Sequence, residues 1–421
     1  MKAPVFALVD CQSFYCSCES VFEPRLWKIP LVVLSNNDGN VVALNEPAKL
    51  LGVPRGEAFF KVRHLVDAGK LIARSSNYTL YGDLSARTMA TLGCFGSTET
   101  YSIDEAFLDM GHVPSKEYNS FAEEIRRTIQ QHVGLPVRVG IGSTKTLAKL
   151  ANHLAKKHAG VYDFTAIGDI EPILATIPAT AVWGIGSQSG KALAANGIDT
   201  ALQLRNADRF WIRKRLGVVG LRTVLELQGI SCLPLEQCPP ARRSICVSRS
   251  FGKPVRSVTE LKEAVATFTA QAAHKLRKNG LAAGAVTVFV SSSRYKDNYF
   301  SNSASFQLLS ETAHTPKLLA PALMLTERLW QGDITFAKAG VILTGLTESE
   351  SIQLNLFEPY KSWSDLQERQ LMETVDAVNT RYSQGALRLG AMGIDQPWKT
   401  RAQFLSPRYT TRWTELAIVK A

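Results

Sequence analysis

The sequence predicts an α+β chain: two βαββαβ units joined by a small helical region. Three observations predict it. The apolar run Val5-Phe6-Ala7-Leu8-Val9 stops at Asp10 and reads as a strand buried on both faces. Strand-period and helix-period segments then follow in the order strand, helix, strand, strand, helix, strand, twice over. Between the two runs lie short apolar stripes broken by Gly and Pro.

The elements follow in chain order. After Asp10 comes an irregular insert with turn signals at Ser35-Asn36-Asn37-Asp38-Gly39 and Gly52-Val53-Pro54. Tyr81, Leu84, Met89 and Leu92 mark a helix, and a short strand ends near Tyr101. A tight Ser102-Ile103-Asp104-Glu105 link leads into the strand Ala106–Met110. Phe121, Ile125 and Ile129 mark a helix, and Val137, Val139 and Ile141 alternate as a strand. Leu147, Leu150, Ala151 and Leu154 predict a helix from Thr144 to Gly160, with glycine at its C′ position. This first unit is a split βαβ with a subdomain inserted after strand one.

Residues 164–235 read as small and helical. Trp183-Gly184-Ile185-Gly186, followed by a helical stretch, has the shape of a helix-hairpin-helix, whose backbone N–H groups suit a phosphate. An ordinary helical turn fits the same residues. Cys238-Pro239-Pro240 is a break. The second unit has strands at Ser244–Phe251, Ala285–Ser291, Ser303–Leu308 and Gly340–Leu343, and helices at Thr259–Lys278 and Lys317–Trp330. Past Leu346 the tail is polar and has no convincing core.

Composition narrows the function. The 421 residues suffice for two to four domains, and 45% hydrophobic with 20% charged excludes wholesale disorder. The 48 Lys+Arg against 37 Asp+Glu leave a formal charge of +11, which points to a polyanionic partner, nucleic acid first. The 7 cysteines show no zinc spacing, and Cys16-Ser17-Cys18 is too tight for a structural zinc pair, so reduced thiols in a cytosol are expected. The start of the chain has no small-residue cleavage site, and no apolar run approaches a membrane span. A cytoplasmic protein without a membrane partner is the expectation.

The chemistry rests on Asp10, at the tip of one central strand, and on Asp104 and Glu105, between two others. In a split βαβ sheet these carboxylates converge at one edge. Such a set suits two Mg²⁺ ions ~3.5–4 Å apart, the arrangement that serves in-line phosphoryl transfer. Acids at strand ends and in turns are also common without a metal, so spacing alone leaves both readings open.

At these residues a resemblance enters. Phe6–Asp10, Ser13-Phe14-Tyr15 and Tyr101–Phe107 resemble the Y-family translesion DNA polymerases, in their UmuC-like branch. Gly140–Lys149, Val32–Gly39, Gln353–Phe357 and Leu405–Arg412 are similar to motifs of the same branch. The resemblance implies a right-hand polymerase: palm at 1–13 and 76–163, fingers at 14–75, helix-hairpin-helix thumb at 164–238, little finger at 242–346, clamp-binding tail at 347–421. It implies error-prone addition of dNTPs to a primer 3′-OH opposite damaged template, in SOS mutagenesis and DNA repair.

It also implies roles. Asp10, Asp104 and Glu105 match the metal-binding carboxylates, with the Cys11 carbonyl as a further ligand. Tyr15 matches a steric gate that blocks a 2′-hydroxyl, with Phe14 beside it; core packing is the other reading of both rings. Lys156 matches a lysine that reaches the triphosphate, although a solvated helix face fits it too. Lys49 stands where relatives outside the branch carry arginine, and Asn45 and Glu46 differ from them as well. Gln12 replaces an acid common two positions after the first catalytic Asp. Gly184 and Gly186 match the DNA-binding hairpin. Arg242, Arg243, Arg249, Lys253 and Arg256 would track a phosphate backbone, or form a solvated strand. Gln353, Leu354, Leu356 and Phe357 match a peptide for the β sliding clamp. Primer–template DNA, dNTP, a UmuD-like dimer and a RecA filament are the other implied partners. Two competing readings are an inactive DNA- and clamp-binding scaffold, and a two-metal nuclease or cyclase.

Overall fold

The computed structural model describes residues 4–238, 240–295, 298–349, 362–382 and 385–416, with only the backbone described over 362–365. The clamp-type motif at 353–357 lies outside the described residues. The chain divides into two compact units. The first comprises Met1–Ser35, Gly39–Pro239 and Phe404–Ala421; the second comprises Asn36–Asp38 and Pro240–Gln403.

The first unit opens with β1 (Phe6–Cys11) and α1 (Phe14–Phe22). The insert follows: β2 (Leu31–Leu34), β3 (Val41–Leu44), α2 (Glu46–Leu50), α3 (Phe59–Asp67) and β4 (Ile72–Ser75). Its three strands form a separate sheet, β3-β2-β4, over Val32, Leu34, Val41, Phe59 and Val62. The chain continues with α4 (Tyr78–Gly93), β5 (Thr98–Thr100), β6 (Glu105–Asp109), α5 (Tyr118–Val133), β7 (Val137–Gly142), α6 (Lys145–Ala155) and β8 (Val161–Asp163). The main sheet runs β5-β6-β1-β7-β8, with β1 antiparallel to both neighbours. A central strand must be apolar on both faces, and β1 is buried except at Asp10.

Two details differ from the expectation. Helix α6 stops at Ala155 instead of running to Gly160, so Lys156 is its C-cap residue. Ala159 and Gly160 then take left-handed backbone (φ 51° and 95°) and turn the chain into β8, which pairs parallel with β7. Three residues are too few to carry a strand period, so this strand depends on its partner. The helical region holds α7 (Glu171–Thr176), α8 (Ser187–Ala194), α9 (Ala201–Arg205) and α10 (Arg209–Leu227). Fully buried Glu226 on α10 accepts the Thr146 N–H at 3.0 Å and the Cys232 N–H at 2.7 Å, which ties α10 to the start of α6.

The second unit contains β9 (Ser244–Val255), α11 (Val258–Lys278), β10 (Leu281–Ser291), β11 (Ser301–Thr312), α12 (Thr315–Leu329) and β12 (Phe336–Glu348). The βαββαβ order is as expected, but the sheet runs β11-β10-β12-β9. The first strand therefore lies at an edge here and in the middle of the first unit. The tail is not coreless as expected. Helix α13 (Ser362–Tyr382) is clamped by Arg277, whose Nε and Nη2 donate to Asp376 at 2.7 and 2.8 Å. Trp398 is buried edge-on against Phe268. These anchors are too sparse to make a periodic stripe, which hides them in a polar segment. All seven cysteines are free. Among the described residues no helix is long and apolar enough to cross a membrane.

Candidate active site

The sheet register assembles the site. Asp10 on β1 lies opposite Glu105 on β6 and opposite Arg138 on β7. The Cys11 N–H donates to the Asp104 carbonyl at 2.9 Å, which draws the Asp104 turn against the tip of β1. Ser102 organises that turn: its hydroxyl donates to Asp104 Oδ1 at 2.6 Å and accepts from the Glu105 N–H at 3.1 Å.

Glycines let α6 lie directly on this sheet. A Cβ at Gly140 would come within 2.0 Å of the Asn152 nitrogen, and one at Gly142 within 2.6 Å of the Ala148 nitrogen. Asn152 then donates to the Leu8 and Arg138 carbonyls, both at 3.1 Å. The Gly140-Ile141-Gly142 motif thus carries the lysines of α6 up to the carboxylates.

The three acids are held by cations and hydroxyls. Arg138 Nη2 donates to Asp10 Oδ2 at 2.9 Å, and Lys149 Nζ to Glu105 Oε2 at 2.9 Å. Lys149 also lies 4.2 Å from the Tyr101 ring centroid and 5.3 Å from that of Trp183. Among the described residues no three acidic, His or Cys side chains enclose a common ion position as they stand. A metal at this tip would compete with Arg138 and Lys149 for the same oxygens.

The donor set nonetheless fits a hard divalent cation: carboxylate oxygens on adjacent strands, one of them short of charge stabilisation. Burial, opposed by Arg138 and reinforced by Glu105 and Asp104, pushes the Asp10 carboxyl up to about 6. A proton and a cation compete for that oxygen. Because the shift is upward, acidification neutralises Asp10 well before an ordinary carboxylate near 3.8. The affinity of the metal-free site for a divalent cation is therefore expected to fall as pH drops through about 6. Cation titrations across pH check this, and an affinity that holds until pH near 4 contradicts it.

Above the acids opens a cleft of about 1000 Å³, lined by Asp10, Tyr15, Lys49, Asp104, Glu105 and Lys156 among others. Phe14, Arg55 and Arg138 line it too. Burial, Arg138 and Lys49 together lower the Lys156 ammonium from its ordinary value, while Asp10 opposes them. Arg138 Nε is buried with no acceptor among the described residues. Tyr15 is half-buried, stacked on Tyr81 at 4.7 Å and edge-on to Tyr78 at 5.9 Å. Ser13, before α1, takes left-handed backbone (φ 45°), a strain that sets the angle at which α1 leaves the strand.

Some residues stand apart from the cleft's chemistry, and others escaped the sequence reading. Asn45 caps α2: its side chain accepts from the Ala48 N–H at 3.1 Å and donates to the Ile29 carbonyl at 2.8 Å. That leaves it a structural role. Lys49 is paired with Glu46. Arg55, Arg138 and Lys149 were missed. An arginine inside the apolar alternation Val137-Arg138-Val139 was the available signal for Arg138, because β7 borders β1. Outside the cleft, Gly184 needs its left-handed φ of 87°, whereas Gly186, which precedes α8, has open space where a Cβ would stand. Arg242 and Arg243 precede β9, Arg249 lies within it and Lys253 near its end. All four are exposed and have no ion-pair partner among the described residues.

The model of the impB/mucB/samB family matches residues 9–153, and that of the family's C-terminal domain matches 242–356. A domain of unknown function matches 369–419. Protein UmuC of Salmonella typhimurium is 42% identical over 99% of this chain and 100% of its own length. Protein MucB of Escherichia coli is 40% identical over 98% of this chain and 99% of its own. DNA polymerase IV of Clostridium kluyveri is 26% identical over 92% and 98%. A solved Y-family DNA polymerase chimera of Dbh and Dpo4 superposes with a TM-score of 0.65 at 22% identity, covering 81% of this chain and 98% of that one.

The fold, the family models and the relatives together define the class, a Y-family DNA polymerase. The chain belongs to the impB/mucB/samB family, in its UmuC-like branch, among the translesion polymerases of SOS mutagenesis.

Proposed function

We propose that this chain extends a primer 3′-OH opposite damaged template by two-metal-ion phosphoryl transfer. The observation that carries the reading is the register that brings Asp10 opposite Glu105, with Asp104 hydrogen-bonded beside them, at the floor of a cation-rimmed cleft. Asp10, Asp104, Glu105 and the Cys11 carbonyl would hold two Mg²⁺. Bound there, the ions supply activation of the attacking oxygen and neutralisation of the leaving pyrophosphate. The chain's own residues do the rest. Lys49, Arg55 and Lys156 face the triphosphate with positive charge, and Lys gives a point charge where Arg gives a planar fork. Phe14 and Tyr15 form the side of the cleft against the sugar. Primer extension on intact and lesion-bearing template, with and without Mg²⁺, tests the whole reading. Metal-independent extension, or DNA binding with no extension, would remove it in favour of another chemistry or a scaffold.

The division into palm, fingers, thumb, little finger and tail at the boundaries given above is part of the same proposal. So is the DNA grip. Exposed Arg242, Arg243, Arg249 and Lys253 suit phosphate tracking, and the Gly184–Gly186 turn suits a backbone phosphate. Replacing Arg242, Arg243 and Arg249 with alanine is expected to weaken DNA binding irrespective of sequence. Each lost contact should flatten the slope of log K against log salt by ~0.7–0.9. An unchanged slope contradicts the grip.

Gln353, Leu354, Leu356 and Phe357 would tether the enzyme to the β sliding clamp, raising the effective concentration of DNA at the site. Alanine at all four is expected to abolish clamp stimulation on clamp-loaded DNA; equal stimulation of variant and wild type refutes the tether. A UmuD-like dimer and a RecA filament complete the partners, in the cytoplasm.

A further inference from the structure

The stretch whose family model is a domain of unknown function ends in a strap that belongs to the first unit. Phe404 exchanges hydrogen bonds with Ser75, at 3.1 and 3.0 Å, and packs edge-on to Phe59. Asn77 Nδ2 donates to the Ser406 carbonyl, the Ser406 hydroxyl and the Pro407 carbonyl within 3.0–3.2 Å. Tyr409 stacks on Phe22 of α1, with ring centroids 4.6 Å apart and planes 13° apart. This is a built interface of paired backbone and interlocked rings, not a loose tail.

One contact points inward. The Ser406 hydroxyl, 4% exposed, donates to Glu19 Oε1 at 2.9 Å. The Tyr81 hydroxyl donates to the same oxygen at 2.6 Å. Glu19 is 1% exposed and its Oε2 finds no hydrogen-bond donor among the described residues, with Arg74 Nε 3.9 Å away. A carboxylate that deeply buried depends on every donor it has. The fully buried Tyr81 ring stacks on Tyr15 at 4.7 Å with planes 22° apart. Glu19 and Tyr15, four residues apart on α1, share one helix face. Ser406, Glu19, Tyr81 and Tyr15 are thus joined by successive single contacts, from the strap to the cleft.

We propose that the C-terminal strap buttresses the sugar gate, with Ser406 and Tyr81 as positioning residues that hold the Tyr15 ring through Glu19. The inference rests on the gate reading of Tyr15. Neither Ser406 nor Tyr81 lines the cleft. They fix the phenol of Tyr81 to a buried anchor, and the stack transmits that position to Tyr15. Without the Ser406 hydroxyl, Glu19 keeps one donor and the Tyr81 ring gains freedom. A gate that discriminates by clash loses selectivity when its ring moves aside.

The test is single-nucleotide insertion of matched rNTP and dNTP by the full chain, in wild type, S406A, S406T, Y81F, Y15A and the double variant Y15A/S406A. The rNTP-to-dNTP ratio is the readout, because a general loss of stability lowers both insertions together and leaves the ratio unmoved. S406A and Y81F are each expected to raise it by roughly 2- to 30-fold, the range that coupling through packed neighbours transmits. S406T, which keeps the hydroxyl, is expected to retain the wild-type ratio. The double variant is expected to match Y15A alone, since both changes act through one ring. If Y15A raises the ratio while folded S406A and Y81F stay at the wild-type value, the buttress is overturned and the gate stands. If Y15A itself changes nothing, the gate reading falls and the buttress with it. Y81F removes a single oxygen from a packed ring, so it decides the matter should S406A fail to fold.

Discussion

Asp104→Ala is expected to abolish nucleotide addition, by ~10³-fold or more, while DNA affinity stays near that of the wild type. Metal ions held by these carboxylates would supply several kcal/mol at the transition state, and ~1.4 kcal/mol is tenfold in rate. Asp104 sits in the Ser102 turn with its carbonyl bonded to Cys11, so truncating its side chain leaves the backbone geometry in place. Asp10→Ala should cost as much in rate, though it also strands the Arg138 guanidinium that pairs with Asp10 across the sheet. Asp104→Ala is for that reason the cleaner experiment. Burst kinetics on a matched primer–template, with DNA affinity measured beside it, checks the result. Near-normal extension by the Asp104 variant would end the two-metal assignment.

Tyr15→Ala is expected to raise ribonucleotide insertion far more than it lowers use of dNTPs. A specificity element that works by clash is felt only by the rejected substrate, so its removal admits that substrate. The ring is fixed on its inner side by Tyr81 and Tyr78, and its outer side faces the cleft beside Asp10 and Asp104. A merely structural aromatic in this position would cost stability on truncation and leave the ratio of rNTP to dNTP insertion alone. The ratio is therefore the measurement. An unchanged value returns Tyr15 to core packing.

The two results bear on different parts of the sequence. The carboxylates were legible because a run of five apolar residues ending in Asp is a buried strand, and because Asp104 and Glu105 sit in the tight link that leads into the apolar strand Ala106–Met110. Period-2 patterning specifies faces, and faces specify which ends meet. The element order of both βαββαβ units came through for the same reason. Several things did not. The two units share an element order and differ in sheet order, since strand pairing is chosen by packing over the whole domain and not by any local pattern. Strand β8 exists only against β7, so three residues of sequence carried no sign of it.

At the site, Arg138 reads locally as an exposed position of a half-buried strand. Only its register opposite Asp10 makes it the partner of a buried acid and raises the question of pH. Asn45 reads only as a departure from relatives outside the branch, and the fold spends all of its side chain on α2 and its neighbours. The tail shows the limit most clearly. Trp398, Phe404, Ser406 and Tyr409 are scattered through a polar stretch, and nothing in their spacing marks them. Each finds its place against residues more than a hundred positions earlier, such as Phe22, Phe59, Asn77 and Phe268. Local sequence determined most of the strands and the placing of the acids at their ends, because hydrophobic period and strand ends are properties of neighbours in the chain, and the resemblance of its motifs implied the class of protein. Tertiary structure decided which cation faces which acid and what the tail covers, because those depend on distances that close only when the chain has folded.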